Sequence, residues 1–427
     1  MSPSYAAIGV LVLGAAVVLL TVSRFSWPGL LGLPFAIVAA GFGLLPASPV
    51  ALAVVGLSLV CCVALLLTPL LQPEVPMHVS EAAALLLLAT AGAIALASAT
   101  DLLQSVVGLE TLALSAVTLV ALGAGPRSLE AAFKYFVLGA ISLAGLLYGL
   151  GLVYFGTGSL AFPTATEIGA SPLTLAGVVL VGMGFAFELA LIPLHWAALD
   201  AYTAAAPSLA GFVMSASKLA AAFALGRLVL AAGVELAQIM VWVGALTIIW
   251  GTFGALSQAA DIRRMLAYSA ITHAGFIGLA IGSGPTGPAT AAFYAAAYAS
   301  MAMLVFAALA GSATTDLRGL GRLRALGLGL GLFALSGVPP TPGFWAKLAV
   351  LVVAWQAAGP LPTLIAVGGG VFSVLYYLRP VPDLLAALRA EPGVPRPAVV
   401  PGVAVAIVAV VVLGVFPGLA WVLARGA

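Results

Sequence analysis

The sequence predicts an all-α integral membrane protein, and its composition and the length of its apolar runs are the two observations that predict it. Of 427 residues, 63% are hydrophobic and only 7% charged, a balance that leaves a water-soluble domain too little polar surface to cover itself. The apolar runs are long and continuous, whereas an outer-membrane barrel would show short alternating ones. A hydrocarbon layer about 30 Å thick takes roughly 20 apolar residues as a helix, and only helices or closed barrels satisfy their own backbone inside it.

Cutting the chain at its Pro, Gly, Asp and Arg clusters gives about fourteen expected transmembrane helices. The first five fall near residues 5–23, 29–46, 49–71, 80–98 and 102–123. The others fall near 128–155, 172–204, 207–231, 235–258, 261–283, 287–312, 322–358, 361–379 and 398–424. The arginines test that count. Arg24, Arg127, Arg263, Arg264, Arg318, Arg322, Arg324, Arg379, Arg389 and Arg396 all fall in, or flank, odd-numbered connections. The positive-inside rule then puts the odd connections in the cytoplasm and both termini outside, and a missed span would scramble the pattern. The N-terminus carries no basic stretch before its first apolar run, so it reads as a first span and not as a cleaved signal.

The connections are short, the longest being around Thr157–Ser171 and Pro380–Pro397, so residues 1–427 read as a single membrane domain. Cys61 and Cys62 are adjacent in an apolar run and read as small core residues, offering neither a disulfide framework nor a metal site. No Walker sequence, dinucleotide fingerprint or paired-histidine haem spacing is present. No cofactor or metal is therefore expected in this chain, and nothing in it points to nucleic acid.

The placement of the lysines carries the functional signal. Lys134, Lys218 and Lys347 are the only three, and all lie inside expected spans, whereas the arginines sit at connections or span ends, Arg227 apart. Lysine can lose its proton where burial disfavours the charged form, while arginine stays charged. A proton relay needs the first property and a topology anchor suits the second. Genomic base composition accounts for the scarcity of lysine, though not for its placement. At 1.5 Å per residue, Glu110, Lys218 and His273 fall near the bilayer midplane, with Lys134 nearer its span end. Ionisable groups at that depth are costly and line a wet interior or pair with one another.

Two expected spans are too long and are broken in the middle. Residues 172–204 are interrupted at Pro193, with Glu188 just before it and His195 just after; residues 322–358 are interrupted by Gly337, Pro339, Pro340, Pro342 and Gly343, with Lys347 beyond. Prolines remove backbone donors and free carbonyls, and paired discontinuous helices in two halves of a transporter mark its ion site. Asp101 and Asp261 each open a helix with a buried ionisable group, and each broken span follows two helices later. An N-terminal three-helix segment (1–79) is thus expected to precede two inverted five-helix repeats, 80–231 and 235–379, with a last helix at 398–424.

Five stretches carry a resemblance to a known family: DLLQSVVGLETLALS from Asp101, EAAFKYFVLGAISLAGLLYG from Glu130, SASKLAAAFALGRL from Ser215, DIRRMLAYSAITHAGFIGLA from Asp261 and SGVPPTPGFWAKL from Ser336. The chain resembles the antiporter-like proton-pumping subunits of respiratory NADH:quinone oxidoreductase, complex I, and their relatives in multisubunit sodium/proton antiporters. SASKLAAAF is most similar to the N-type subunits, and the long C-terminal lateral helix of the L type has no counterpart in these 427 residues. The resemblance implies a channel in which Glu110 controls the lysines, Lys218 holds the central proton and Lys347 releases it outward. His195 and His273 match family histidines, although Trp196 follows His195 one residue early. The family usually has lysine where FELALIP places Glu188, so Lys134 becomes the expected partner of Glu110.

The resemblance further implies a plasma-membrane location and partners among the other membrane-arm and peripheral-arm subunits. FMN and iron–sulfur clusters would sit in those partners, and NADH and quinone would be substrates of the whole assembly. A sodium/proton antiporter subunit is the alternative function, and a purely structural scaffold is the reading that would need no titratable lysines at midplane.

Overall fold

The computed structural model describes residues 2–20, 28–45, 50–71, 79–123, 125–258, 261–311, 317–389 and 400–424. Arg24 and Arg396 lie outside them. Among the described residues the chain is helical, and the only β pairing is an isolated bridge between Asp101 and Ala161.

The N-terminal segment holds α1 (Pro3–Leu20), α2 (Pro28–Gly43) and α3 (Ala51–Leu67). Next come α4 (Val79–Ala97), α5 (Leu102–Ala121), α6 (Pro126–Thr157), the short α7 (Ala165–Ala170), α8 (Pro172–Leu189), α9 (Trp196–Ala204) and α10 (Pro207–Ala232). A second series has α11 (Val234–Ser257), α12 (Ile262–Ile281), α13 (Gly287–Leu309), α14 (Arg322–Ser336), α15 (Pro342–Ala357) and α16 (Pro360–Leu378). Last come α17 (Val381–Arg389), α18 (Val400–Val415) and α19 (Pro417–Ala424).

Local chemistry sets these boundaries. Proline opens α6, α8, α10, α15 and α16, where its missing N–H is not needed. Asp101 caps α5 through the Gln104 amide, and Asp261 caps α12 through the amides of Arg263 and Arg264.

Among the described residues eleven helices are long and apolar enough to cross a membrane, or twelve if α18 and α19 count as one bent span. The protein is an integral multi-pass membrane protein. Against the fourteen expected, α2 is shorter than that criterion, and the expected spans 172–204 and 322–358 are each divided into two helices. The expected last span, 398–424, also differs, since α18 and α19 meet at 83°. Pro417 is the cause, because it cannot donate to the ladder that would continue α18. α6 is longer than expected at 32 residues, about 48 Å, and must tilt to fit the bilayer.

The two series pack alike. α4 lies on α5, α6 on α8 and α9, and α10 against α4, α5, α8 and α9. Correspondingly α11 lies on α12, α13 on α14 and α15, and α16 against α11, α12, α14 and α15. Small residues permit the closest crossings: a Cβ on Gly108 would strike the Leu96 backbone between α5 and α4, and one on Gly244 would strike Leu279 between α11 and α12. The most buried helices, α10 and α13, pack together at the centre. α6 presents a large apolar outer face including Phe133, Ile141, Tyr148 and Phe155, which suits lipid or another membrane subunit.

Candidate proton pathway

The break after α8 begins at Ala190, whose backbone is left-handed (φ 63°), and the break after α14 begins at Gly337 (φ 86°). Each stops a helix and leaves its last carbonyls without intrahelical donors. A lysine fills the vacancy in both cases. The Lys218 ammonium, from α10, donates to the Leu189 carbonyl at 3.3 Å. The Lys347 ammonium, from α15, donates to the Ser336 carbonyl at 2.8 Å and to the Ser373 hydroxyl at 3.1 Å. Leu189 and Ser336 are the last residues of their helices, so each cation caps the negative end of a helix dipole. Lys218 is wholly buried and Lys347 is 8% exposed.

Glu188, 2% exposed, lies one residue before the first of these carbonyls, and among the described residues neither of its oxygens has a hydrogen-bond partner. Lys218 from α10 and Glu110 from α5 both act on it electrostatically. Glu110 is only half-buried on α5. Where the family resemblance implies an attractive glutamate–lysine pair between these helices, the chain has two carboxylates and like-charge repulsion.

Tyrosines continue the line from Lys218. Its ammonium lies over the Tyr202 ring at 5.2 Å and the Tyr298 ring at 5.9 Å, contacts in which the ring face stabilises the cation. The His273 ring lies 4.9 Å from the Tyr298 ring. His273 Nδ1 bonds the Tyr294 hydroxyl at 2.8 Å, and Nε2 bonds the Tyr377 hydroxyl at 3.1 Å. Tyr377 also bonds Ser269. On the far side Lys347 reaches Ser373, four residues before Tyr377 on α16, and lies 5.9 Å from the Phe276 ring. Glu188, Lys218, His273 and Lys347 thus form one connected buried region. His195 is buried too, its ring tilted against Trp196 and edge-on to Trp250, and among the described residues its two ring nitrogens have no hydrogen-bond partner.

Lys134 departs from expectation. It is not a buried partner of Glu110. Its side chain is 47% exposed and pairs with Glu130 at 2.7 Å and Asp200 at 3.1 Å. Lying only two turns inside α6, it reaches the helix end by snorkelling. A cavity of about 550 Å³ opens there, lined by Arg127, Glu130, Lys134, Asp200, Asp261, Arg263 and Arg264 among others.

Sequence reasoning missed the tyrosines, Ser373, Asp200 and Glu130. The spacing of Tyr294 and Tyr298, four residues apart, was a usable signal, because it puts both on one helical face. Among the described residues no cluster of His, Cys, Asp and Glu is arranged to hold a metal.

Residues 99–373, which contain nearly all of this line, match the model of the family described as NADH:quinone oxidoreductase/Mrp antiporter, transmembrane. The chain belongs to that family. Among curated relatives, the NADH-quinone oxidoreductase subunit N of Deinococcus radiodurans is 36% identical over 367 residues, covering 80% of this chain and 74% of the relative. Subunit N of Geobacter metallireducens is 35% identical over 357 residues, covering 79% of this chain and 76% of the relative. Among solved structures, a chain of respiratory complex I from Thermus thermophilus with bound aureothin superposes with a TM-score of 0.80 at 30% identity, covering 99% of this chain and all of that one. A chain of the membrane-bound sulfane sulfur reductase, an archaeal respiratory membrane complex, shares the fold with a TM-score of 0.88 at 23% identity, covering 100% of this chain and 97% of that one.

Proposed function

We propose that this chain is a proton-translocating membrane subunit of an NADH:quinone oxidoreductase, moving protons between the two sides of a bacterial plasma membrane through Glu188, Lys218, His273 and Lys347. The observation that carries the reading is the shared device at the two breaks, where a buried lysine caps the last carbonyl of a broken helix. A scaffold has no need to bury two amines in this way. An amine held by a carbonyl dipole and a nearby carboxylate keeps its proton, and it yields the proton when either contact is withdrawn. Glu110 couples this chain to its neighbour by adding or removing negative charge beside Glu188. His195, buried and unbonded at the first break, orders water there.

FMN and iron–sulfur clusters are expected in the peripheral-arm subunits, and this chain supplies none of the redox chemistry. The names of the curated relatives favour the oxidoreductase over a sodium/proton antiporter. In this reading the bundle has fourteen spans, with α2, the pair α14–α15 and the pair α18–α19 completing the eleven continuous ones. Residues 80–231 and 235–379 form inverted repeats, and the matched packing of the two series supports that arrangement. Contacts between connections support the alternation: Leu102 N–H bonds Leu160 across two even connections, and Arg318 pairs with Asp383 across two odd ones. With the arginine-bearing odd connections in the cytoplasm, as the positive-inside rule has it, both termini lie outside.

The test is Lys218→Ala in the assembled complex, with assembly checked on native gels. Proton pumping and NADH:quinone activity are expected to fall together by at least about tenfold, the scale of losing one essential proton carrier. Unchanged pumping in an assembled complex would leave the scaffold reading in its place.

A further inference from the structure

The two breaks hold their lysines with different partners. At the first, Glu188 and Lys218 act on one another across the end of α8. At the second, among the described residues, no carboxylate forms an ion pair with Lys347. Its ammonium meets the Ser336 carbonyl, the Ser373 hydroxyl and, farther off, the Phe276 ring. Ser373 is 1% exposed and donates its own proton to the Gly370 carbonyl at 2.6 Å, which leaves its oxygen to accept from the ammonium. In the matched packing of the two series α16 stands where α10 does. Lys218 follows Pro207 of α10 by eleven residues, and Ser373 follows Pro362 of α16 by eleven. A hydroxyl in the second half thus holds the position that a lysine holds in the first.

We propose that Ser373 is the positioning residue of Lys347, a hydroxyl that turns to serve the amine in both of its charge states. The proposal rests on the proton-translocating reading above. Charged, the amine carries three N–H donors and needs oxygen lone pairs, which the Ser336 carbonyl and the Ser373 oxygen supply. Empty, it exposes a lone pair in a buried site and needs a donor. A carbonyl cannot donate, and neither can a phenylalanine ring. The serine hydroxyl can, by swinging its proton from the Gly370 carbonyl to the amine nitrogen, and the Gly370 carbonyl, inside α16, keeps its place in the helical ladder. The translocated proton leaves Nζ; the serine's own proton stays on Oγ and only changes direction. Without the hydroxyl the empty amine is a buried group with an unmet hydrogen bond, and emptying becomes costly.

A buried serine that bonds the carbonyl three residues back is also ordinary helix packing. What sets Ser373 apart is that its oxygen touches a group whose charge changes.

Threonine and valine have nearly the same shape and differ in the hydroxyl, so at residue 373 they separate hydrogen bonding from packing. In inverted membrane vesicles driven by NADH, with assembly checked on native gels, Ser373→Thr is expected to retain most of its pumping. Ser373→Val is expected to lose about tenfold, the scale on which one hydrogen bond to a charged group alters a rate. The loss is expected at about pH 6 and about pH 8 alike, because the hydroxyl serves the charged amine and the empty one. The titratable groups on the helices around Lys347 are His273 on α12, Tyr294 and Tyr298 on α13, and Tyr376 and Tyr377 on α16, and both variants keep them; α14 brings Arg322 and Arg324 at its far end and α18 brings none. A deficit of Ser373→Val confined to the alkaline side would show a hydroxyl that serves the ammonium alone and would overturn the two-state role. Equal pumping by Ser373→Thr and Ser373→Val, whether high or low, would reduce Ser373 to packing. Lys347→Ala, expected to be inactive, keeps the two readings apart: if it pumps, translocation through Lys347 fails whatever Ser373 does. Ser373→Ala, which needs no added room, takes the place of Ser373→Val if that variant does not assemble, and is held to the same outcome.

Discussion

Ala190 and Gly337 make the same left-handed turn at the two breaks with different residues, and their side chains set opposite expectations. For alanine this conformation costs on the order of 1 kcal/mol that glycine avoids. Ala190→Gly should therefore hold or raise the temperature at which the solubilised complex loses its membrane arm. Gly337→Ala adds the same strain and also crowds the site, since its Cβ would lie 3.0 Å from Lys347 Cδ. It should lower that temperature and, by moving the ammonium off the Ser336 carbonyl, lower proton pumping as well. Thermal dissociation and pumping, measured on both variants, check the pair; equal responses would remove the argument from the turn. The glycine was legible in GVPPTPG, because proline and glycine together mark a stop. Ala190 was not, because nothing in FELALIP distinguishes an alanine that continues a helix from one that ends it.

At the scale of elements, the connection between α6 and α8 shows what local chemistry can do without membrane burial. Thr164 and Glu167 form a reciprocal capping box on α7: the Glu167 carboxylate accepts from the Thr164 amide and hydroxyl at 2.7 Å each. Those bonds hold the Glu167 carboxyl below its ordinary value of 4.5. A depressed carboxyl stabilises the fold above its unfolded pKa, and the contribution disappears as pH falls through the lower folded value. Amide protection in α7 should therefore be constant near neutrality and be lost on acidification below about 4.5. Hydrogen exchange checks this, and Glu167→Gln should remove the pH step. The two broken helices were readable from proline placement. The tyrosine line was not, because Tyr202, Tyr294, Tyr298 and Tyr377 come from α9, α13 and α16 and are brought together only by packing around His273 and Lys218. Lys134 misled for the converse reason. Its position lies within a span by hydropathy, yet the long helix places it at a solvated end, where Glu130 and Asp200 hold it.

For the whole molecule, the scarcity of charge made organisation legible, since the arginines of so apolar a chain, Arg227 within α10 apart, report connections and span ends, and the two buried lysines report the interior. What sequence could not supply was how the two halves meet. α10 and α13 form that seam, and through it Lys218 from the first series reaches Tyr298 on α13, beside His273 of the second. If protons pass along this line, Lys218 and Lys347 act in series, and removing either interrupts the same flux. Lys218→Ala and Lys347→Ala should then each abolish most of the pumping, and the double variant should be no worse than the more severe single one, because residues acting as a unit are strongly non-additive. Two independent sites would instead give losses that multiply. Pumping by the three assembled variants, each set against its own NADH oxidation rate, distinguishes the cases. Repeating the series with sodium omitted extends it to the transported ion: an unchanged pattern assigns the line to protons, and a rate that falls with sodium reassigns it to exchange.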